Sequence, residues 1–203
     1  MKIFCIGRNY VEHAKELNNK VPKQPLVFMK PPTALTFDRD ISIPHFTQDL
    51  HFELELALLI SKEGKNIAEN DASDYFSDIG LGIDYTARDV QSACKAKGHP
   101  WEISKAFDKS ASLSNFFPKL NFELDKIHFQ LKKNNKVVQD GFSSDMIFKF
   151  DRLIAHISTY FTMEVGDVIL TGTPAGVGPL AQGDKLQGYL NGELVLENYI
   201  ITY

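Results

Sequence analysis

Short apolar segments rich in β-branched and aromatic residues, separated by tight-turn signals, recur along this chain and restrict it to a β-rich fold. Lys2 to Ile6, Leu26 to Met29, Glu53 to Ile60, Ile127 to Lys132 and Asp167 to Thr171 read as strands. Asn191-Gly192, between Leu186–Leu190 and Glu193–Tyr199, tolerates the positive φ angles of a type I′ turn and predicts a hairpin. Asn134-Asn135 predicts a second one. The Pro-containing stretches at Val21 to Pro25, Pro31-Pro32 and Pro118 read as loops.

Helices are fewer. Met146, Ile147, Phe150, Leu153, Ile154 and Ile157 recur at helical spacing, so Ser144 to Thr159 is expected to be a helix capped by its serine. Thr86 to Lys97 opens with Thr86-Ala-Arg-Asp89, a capping box with Asp in place of the usual Glu. Tyr10 to Leu17 predicts a short third helix. Many strands with a few outlying helices imply a mixed, β-rich α+β architecture of rolled or stacked sheets. No repeat, low-complexity tract or Pro/Gly/Ser-rich linker divides residues 1–203, so one domain is expected.

Composition removes several functions. The net charge is −4 and no Lys/Arg cluster tracks phosphates, which argues against nucleic acid. No run approaches the roughly 18 apolar residues of a membrane span, and the first residues lack the apolar core of a signal peptide. Two cysteines, Cys5 and Cys94, make no disulfide framework, and Cys94 reads as a packed thiol. The expected setting is a reducing cytoplasm or organelle matrix.

The segment His51-Phe-Glu53-Leu-Glu55-Leu-Ala-Leu-Leu-Ile60 carries the chemistry. Strand alternation puts Glu53 and Glu55 on one face and Leu54, Leu56 and Leu58 on the other. Like charges this close need water or a cation between them. One reading is a solvated acidic edge; the other is a metal site, favoured by the wholly apolar run after Glu55. A third acid, Asp84, stands where an apolar strand meets a helix, and reads either as a ligand or as a helix cap. Three carboxylates without a Cys/His cluster suit a hard ion, Mg²⁺ or Mn²⁺, with Ca²⁺ also possible. His51 shares the face of Glu53 but is expected to be structural, because hard ions prefer oxygen.

Four stretches in order resemble the fumarylacetoacetate hydrolase family, most of all its small acylpyruvase/oxaloacetate decarboxylase branch. They are His51 to Ala57, Asp84 to Gln91, Ser104 to Asp108 and Leu170 to Gly178. The opening Gly7-Arg8-Asn9-Tyr10-Val-Glu-His13-Ala-Lys-Glu16 also matches. The resemblance implies a mixed β-sandwich roll with peripheral helices and a short N-terminal lid helix, and a homodimer. It implies that His13 and Glu16, three apart, activate water, where isolated residues at this spacing read as a surface salt bridge. Lys105, otherwise an ordinary surface lysine, is implied to face the substrate. Arg8, Arg88, Gln91 and Thr173 are implied to hold it, whereas Arg88 by itself could pair with Asp89 or Glu102. Full-length fumarylacetoacetases add a further acid from the first strand. Phe4-Cys5-Ile6 carries none, so three protein ligands are expected here.

The implied activity is metal-dependent cleavage of a carbon–carbon bond in an acylpyruvate-type 2,4-dioxo acid. Oxaloacetate decarboxylation or tautomerisation, and isomerisation of a 2-hydroxy-diene-dioate, are alternatives on the same site. A catalytically silent small-molecule binding protein is the non-enzyme alternative.

Overall fold

The computed structural model describes residues 1–202. Its largest sheet runs in the order Leu26–Lys30, Ile3–Gly7, Val168–Leu170, Leu54–Ile60, Phe76–Asp84, Ala111–Leu113 and Leu35–Thr36, with Phe117–Pro118 also paired to Phe76–Asp84. Pro118 thus sits on a two-residue edge pairing rather than in a loop. A five-stranded sheet orders Lys136–Phe142, His128–Lys133, Lys185–Leu190, Glu193–Ile201 and Asp40–Ser42. Three short strands, Gly178–Pro179, Leu50–Phe52 and Thr86–Ala87, form a third sheet. The mixed, β-rich expectation therefore holds.

Both predicted hairpins form with the turn their residues favour. Asn191 and Gly192 have φ of 47° and 87°, and Asn134 and Asn135 of 51° and 65°, the positive pair a type I′ turn requires.

The large sheet separates two apolar clusters, and the separation follows from period-2 alternation. Leu54, Leu56 and Leu58 enter the main core with Phe4, Ile6, Leu81 and Ile169, facing Phe129, Leu131 and Leu186 of the five-stranded sheet. The opposite face buries Ala57 with Ile3, Cys5, Val168, Leu170 and Leu113. Glu55, two residues before Ala57, therefore projects from this second face.

Among the described residues, four α-helices flank the sheets: α1 (Val11–Glu16), α2 (Arg88–Lys97), α3 (Glu102–Lys105) and α4 (Phe150–Tyr160). Helix α4 buries Phe150, Leu153, Ile154 and Ile157, the i, i+3, i+4, i+7 stripe of an amphipathic helix. It begins six residues after the expected Ser144, because a distant residue takes hold of the intervening backbone. The Asn9 side chain donates to Phe148 O at 3.0 Å and accepts from Phe148 N–H at 2.8 Å, while Asn9 O accepts from Ile147 N–H. Those bonds hold the segment extended, and only a 3₁₀ turn at Ser143–Asp145 remains of the predicted first turns.

The capping box at Thr86 does not form either. Thr86 is buried in the short strand opposite His51, and Ala87 occupies the cap of α2 without a side-chain bond. Asp89 turns away to accept from Thr47 Oγ1 at 2.5 Å and Gln48 N–H at 2.9 Å.

Asn9 is fully buried and also donates to Thr171 O at 2.8 Å. Asn9→Ala leaves the buried Thr171 carbonyl and the half-buried N–H and carbonyl of Phe148 unmatched, a loss of about 2–4 kcal/mol. Thermal unfolding should show this as a midpoint roughly 5–15 °C lower, and an unchanged midpoint would contradict the assigned bonds.

Candidate metal and acid–base site

Antiparallel pairing of Leu54–Ile60 with Phe76–Asp84 sets Glu55 opposite Gly82 and Leu54 opposite Ile83. Continuing that register brings Asp84 beside Glu53, whose carbonyl accepts the Asp84 N–H at 2.9 Å. Glu53, Glu55 and Asp84 are all buried, and each offers an oxygen within 4.8 Å of the others. The solvated-edge reading of Glu53 and Glu55 is thereby overturned, as is the capping reading of Asp84.

Two buried lysines and a half-buried arginine answer these acids. Lys105 Nζ lies 2.8 Å from Glu53 Oε2 and 2.7 Å from Asp84 Oδ2, and Arg88 pairs with Glu53 Oε1. Lys30 Nζ stands 2.8 Å from Asp84 Oδ1. Burial works against the charge of Lys105, but Asp84 and Glu53 outweigh it and raise its pKa above the usual lysine range. Burial likewise opposes ionisation of Glu53, yet Lys105, Arg88 and His13 hold its carboxyl far below the carboxylate range. Among the described residues, Glu55 is ion-paired with no cation and feels Lys105 only at a distance. Its Oε2 accepts only the Gly172 N–H, at 2.6 Å, and burial, then Asp84 and Glu53, drive its pKa well above the carboxylate range.

Two observations fit a divalent ion here. Lys30 spends its donors on Lys105 O, Ser110 O and Ser110 Oγ. Asp84 Oδ1 therefore remains buried without a hydrogen-bond donor despite its nearby charge partner. Glu55 is a second buried oxygen group, whose ionisation Gly172 N–H and Lys105 support too little to offset burial and its two acidic neighbours. An all-oxygen donor set of this kind suits Mg²⁺ or Mn²⁺.

His13 of α1 is buried and its Nδ1 lies 3.2 Å from Glu16 Oε2, so the two form the pair their spacing allows. Glu16 also accepts the Gly176 N–H at 3.0 Å, tying α1 to the Gly172–Gly178 turn. Burial, only partly offset by Glu53 and Glu16, lowers the His13 pKa below 6.5. The shift favours the neutral imidazole, and with Nδ1 turned to Glu16 its Nε2 is the nitrogen left to take a proton.

Arg88 Nη1 donates to Gln91 Oε1 at 2.7 Å, so the pair expected on one face of α2 is joined. Arg88 partners Glu53 rather than Asp89 or Glu102. Thr173 Oγ1 donates to Leu54 O at 2.8 Å, which directs its hydroxyl hydrogen at the strand. One pocket is lined by His13, the three acids and Lys105 together with Arg8, Arg88, Gln91 and Thr173. His51 is outside it and bonds Asp49 at 2.9 Å, a structural role as expected.

Sequence reading missed Lys30, Gln139 and the Asn9 clamp. The only trace of Lys30 was a lysine ending an apolar strand just before Pro31-Pro32. Gln139 is buried and accepts from Leu54 N–H while donating to Thr173 Oγ1 and Pro174 O. It stabilises the break between Leu50–Phe52 and Leu54–Ile60 where Glu53 stands. Nothing in its surroundings in sequence marks it, since its partners are 34 to 85 residues away.

Known proteins are similar to this chain over almost its whole length. The mitochondrial oxaloacetate tautomerase FAHD1 of Bos taurus is 40% identical over 197 residues, covering 96% of this chain and 89% of that protein. The mitochondrial oxaloacetate decarboxylase of Dictyostelium discoideum is 41% identical over 194 residues, 94% of this chain and 89% of that protein. The crystal structure of fumarylpyruvate hydrolase from Pseudomonas aeruginosa, in complex with Mn²⁺ and pyruvate, superposes with a TM-score of 0.95 at 28% identity, covering 100% and 90% of the two chains. The family model described as fumarylacetoacetate (FAA) hydrolase C-terminal matches residues 2–200. With fold, sequence and the buried acids in agreement, the chain belongs to the fumarylacetoacetate hydrolase family.

Proposed function

We propose that this protein is a divalent-metal-dependent enzyme that forms and consumes enolates of small 2-oxo acids. The observation that carries the reading is the convergence of Glu53, Glu55 and Asp84, with one oxygen lacking a donor, beside a buried neutral histidine. A bound Mg²⁺ or Mn²⁺ supplies Lewis-acid withdrawal of charge from a keto oxygen. Glu53, Glu55 and Asp84 are the residues that would hold it.

The remaining roles belong to the chain itself. Arg88, steadied by Gln91, presents a planar guanidinium suited to a substrate carboxylate. Lys105, kept charged by its two acids, faces the negative charge that develops on an enolate oxygen. His13 moves the proton. In tautomerisation it takes a proton from the carbon beside the keto group and returns it to the enol oxygen or the carbon. In decarboxylation of oxaloacetate the C3–C4 bond breaks, CO₂ departs and the electron pair stays on the enolate, with no base needed for that step.

The same pair supports a second reading, hydrolysis of an acylpyruvate. His13 takes a proton from water as its oxygen attacks the distal carbonyl; the carbon–carbon bond then breaks towards the pyruvate enolate, which is protonated at carbon. The relatives named for oxaloacetate favour the first reading, and the Glu16-supported imidazole favours the second. The sharing of one site explains why both fit.

The test uses protein stripped with chelator and then given Mg²⁺ or Mn²⁺, with oxaloacetate, acetylpyruvate and a 2-hydroxy-diene-dioate followed by ultraviolet absorbance. Turnover of at least one should vanish on stripping and return with the ion. Full activity without divalent ions, or none on the whole panel with them, counts against the proposal.

A further inference from the structure

Among the described residues, two cations at the mouth of this pocket form no ion pair with its acids. Lys30, Lys105 and Arg88 are ion-paired with Glu53 and Asp84. Arg8 and Lys95 line the same pocket, yet among the described residues neither is ion-paired with a carboxylate. Both lie against the ring of Trp101 instead, with the Arg8 guanidinium carbon 6.0 Å and Lys95 Nζ 5.2 Å from its centroid. A ring quadrupole attracts each of them weakly, but it leaves two like charges facing one space. Partial desolvation, then Arg88 and Arg8, outweigh the pull of Glu53 and push the Lys95 pKa down to about 8, the direction expected where like charges gather.

The backbone supports both groups. Arg8 has φ of 60°, a left-handed conformation that a residue other than glycine holds only when its surroundings enforce it. Its neighbour Asn9, anchored to Phe148 and Thr171, supplies that enforcement. Lys95 follows Arg88 and Gln91 along α2 at i+7 and i+4, so the three form one stripe. At 1.5 Å per residue the stripe runs about 10 Å from the acids to the mouth. Gly98 then ends α2 in the left-handed conformation, φ 65°, and the chain returns to set Trp101 beside Lys95.

We infer that Arg8, Lys95 and Trp101 form a distal anion subsite, which selects 2-oxo acids carrying a second negative group at the end remote from C1. The inference rests on the proposed reading, in which the C1 end lies at the acids, and it adds Lys95 as the residue that decides specificity at the other end. The plainer role for a lysine there is to complement the carbonyl end of the helix, as Lys97 in the same turn also does. Lys97 does not line the pocket and so provides the control.

The experiment is calorimetric titration of the Mg²⁺-loaded protein with 2-oxoglutarate and 2-oxopentanoate. These share a five-carbon 2-oxo skeleton and differ in the terminal carboxylate alone. Oxalate serves as a third probe, too short to reach the mouth. The wild type should prefer 2-oxoglutarate by about tenfold or more. Lys95→Gln should lose most of that preference, while Lys95→Arg and Lys97→Gln keep it and oxalate affinity stays level across all of them. Lack of preference in the wild type, or a Lys95→Gln variant that retains it or weakens all three ligands alike, overturns the subsite. Failure of the wild type to bind oxalate overturns the metal reading, and the subsite with it; that outcome is distinct from loss of discrimination alone.

Discussion

Glu55→Gln lowers metal-dependent turnover by about 10³-fold or more while the protein remains folded. The choice of residue follows from the ion pairs. Asp84 partners Lys30 and Lys105, and Glu53 partners Lys105 and Arg88. Removing either acid strands a buried cation, a loss of about 3–5 kcal/mol that confounds activity with stability. Glu55 has no such partner, and a glutamine oxygen can still accept the Gly172 N–H. One of three mutually repelling buried acids is then gone, so the unfolding midpoint in chelator should stay level or rise by a few degrees. The rise in midpoint that Mg²⁺ or Mn²⁺ gives the wild type should shrink or disappear. Near-wild-type activity in Glu55→Gln, measured at saturating ion, would remove Glu55 from the site.

His13→Ala separates the reactions that share the pocket. Hydrolysis of acetylpyruvate should fall by about 10²- to 10⁴-fold, the usual contribution of a positioned general base. Decarboxylation of oxaloacetate, which moves no proton before the bond breaks, should stay within about tenfold of wild type. The pH profile adds a second readout. His13 has its pKa lowered by burial, so it is the neutral base above that pKa and protonated below it. In the wild type, kcat/KM for hydrolysis should therefore be level through neutral pH and fall on the acid side, below 6.5. That limb should vanish in the variant. Equal loss of both activities, or an acid limb that persists without the imidazole, would show that the proton passes elsewhere.

Fold class and site were legible in the sequence to different depths. The alternation of Glu53 and Glu55 with Leu54, Leu56 and Leu58 divided the strand between two faces, and the two apolar clusters follow that division. The type I′ turns at Asn134-Asn135 and Asn191-Gly192 depend on two residues each, and both formed. Where long-range bonds compete with a local preference, local reading fails. Asn9 keeps 146–149 out of α4 from 139 residues away. Thr47 and Gln48 take Asp89 from the capping box at Thr86.

Alternation, spacing and turn chemistry are properties of neighbouring residues, so the sequence alone determined the β-rich fold, the shared face of Glu53 and Glu55 and the contact of His13 with Glu16. Charge balance is not local. Only the tertiary structure decided that Lys30 and Lys105 lie against Asp84, that Glu55 is left without an ion-pair partner among the described residues, and that Arg8 and Lys95 both lie against Trp101. The physical reason is that Coulomb energy and desolvation depend on distance and burial through space. Strand pairing and the packing of α2 and α3 set both, across separations that no pattern in the chain encodes.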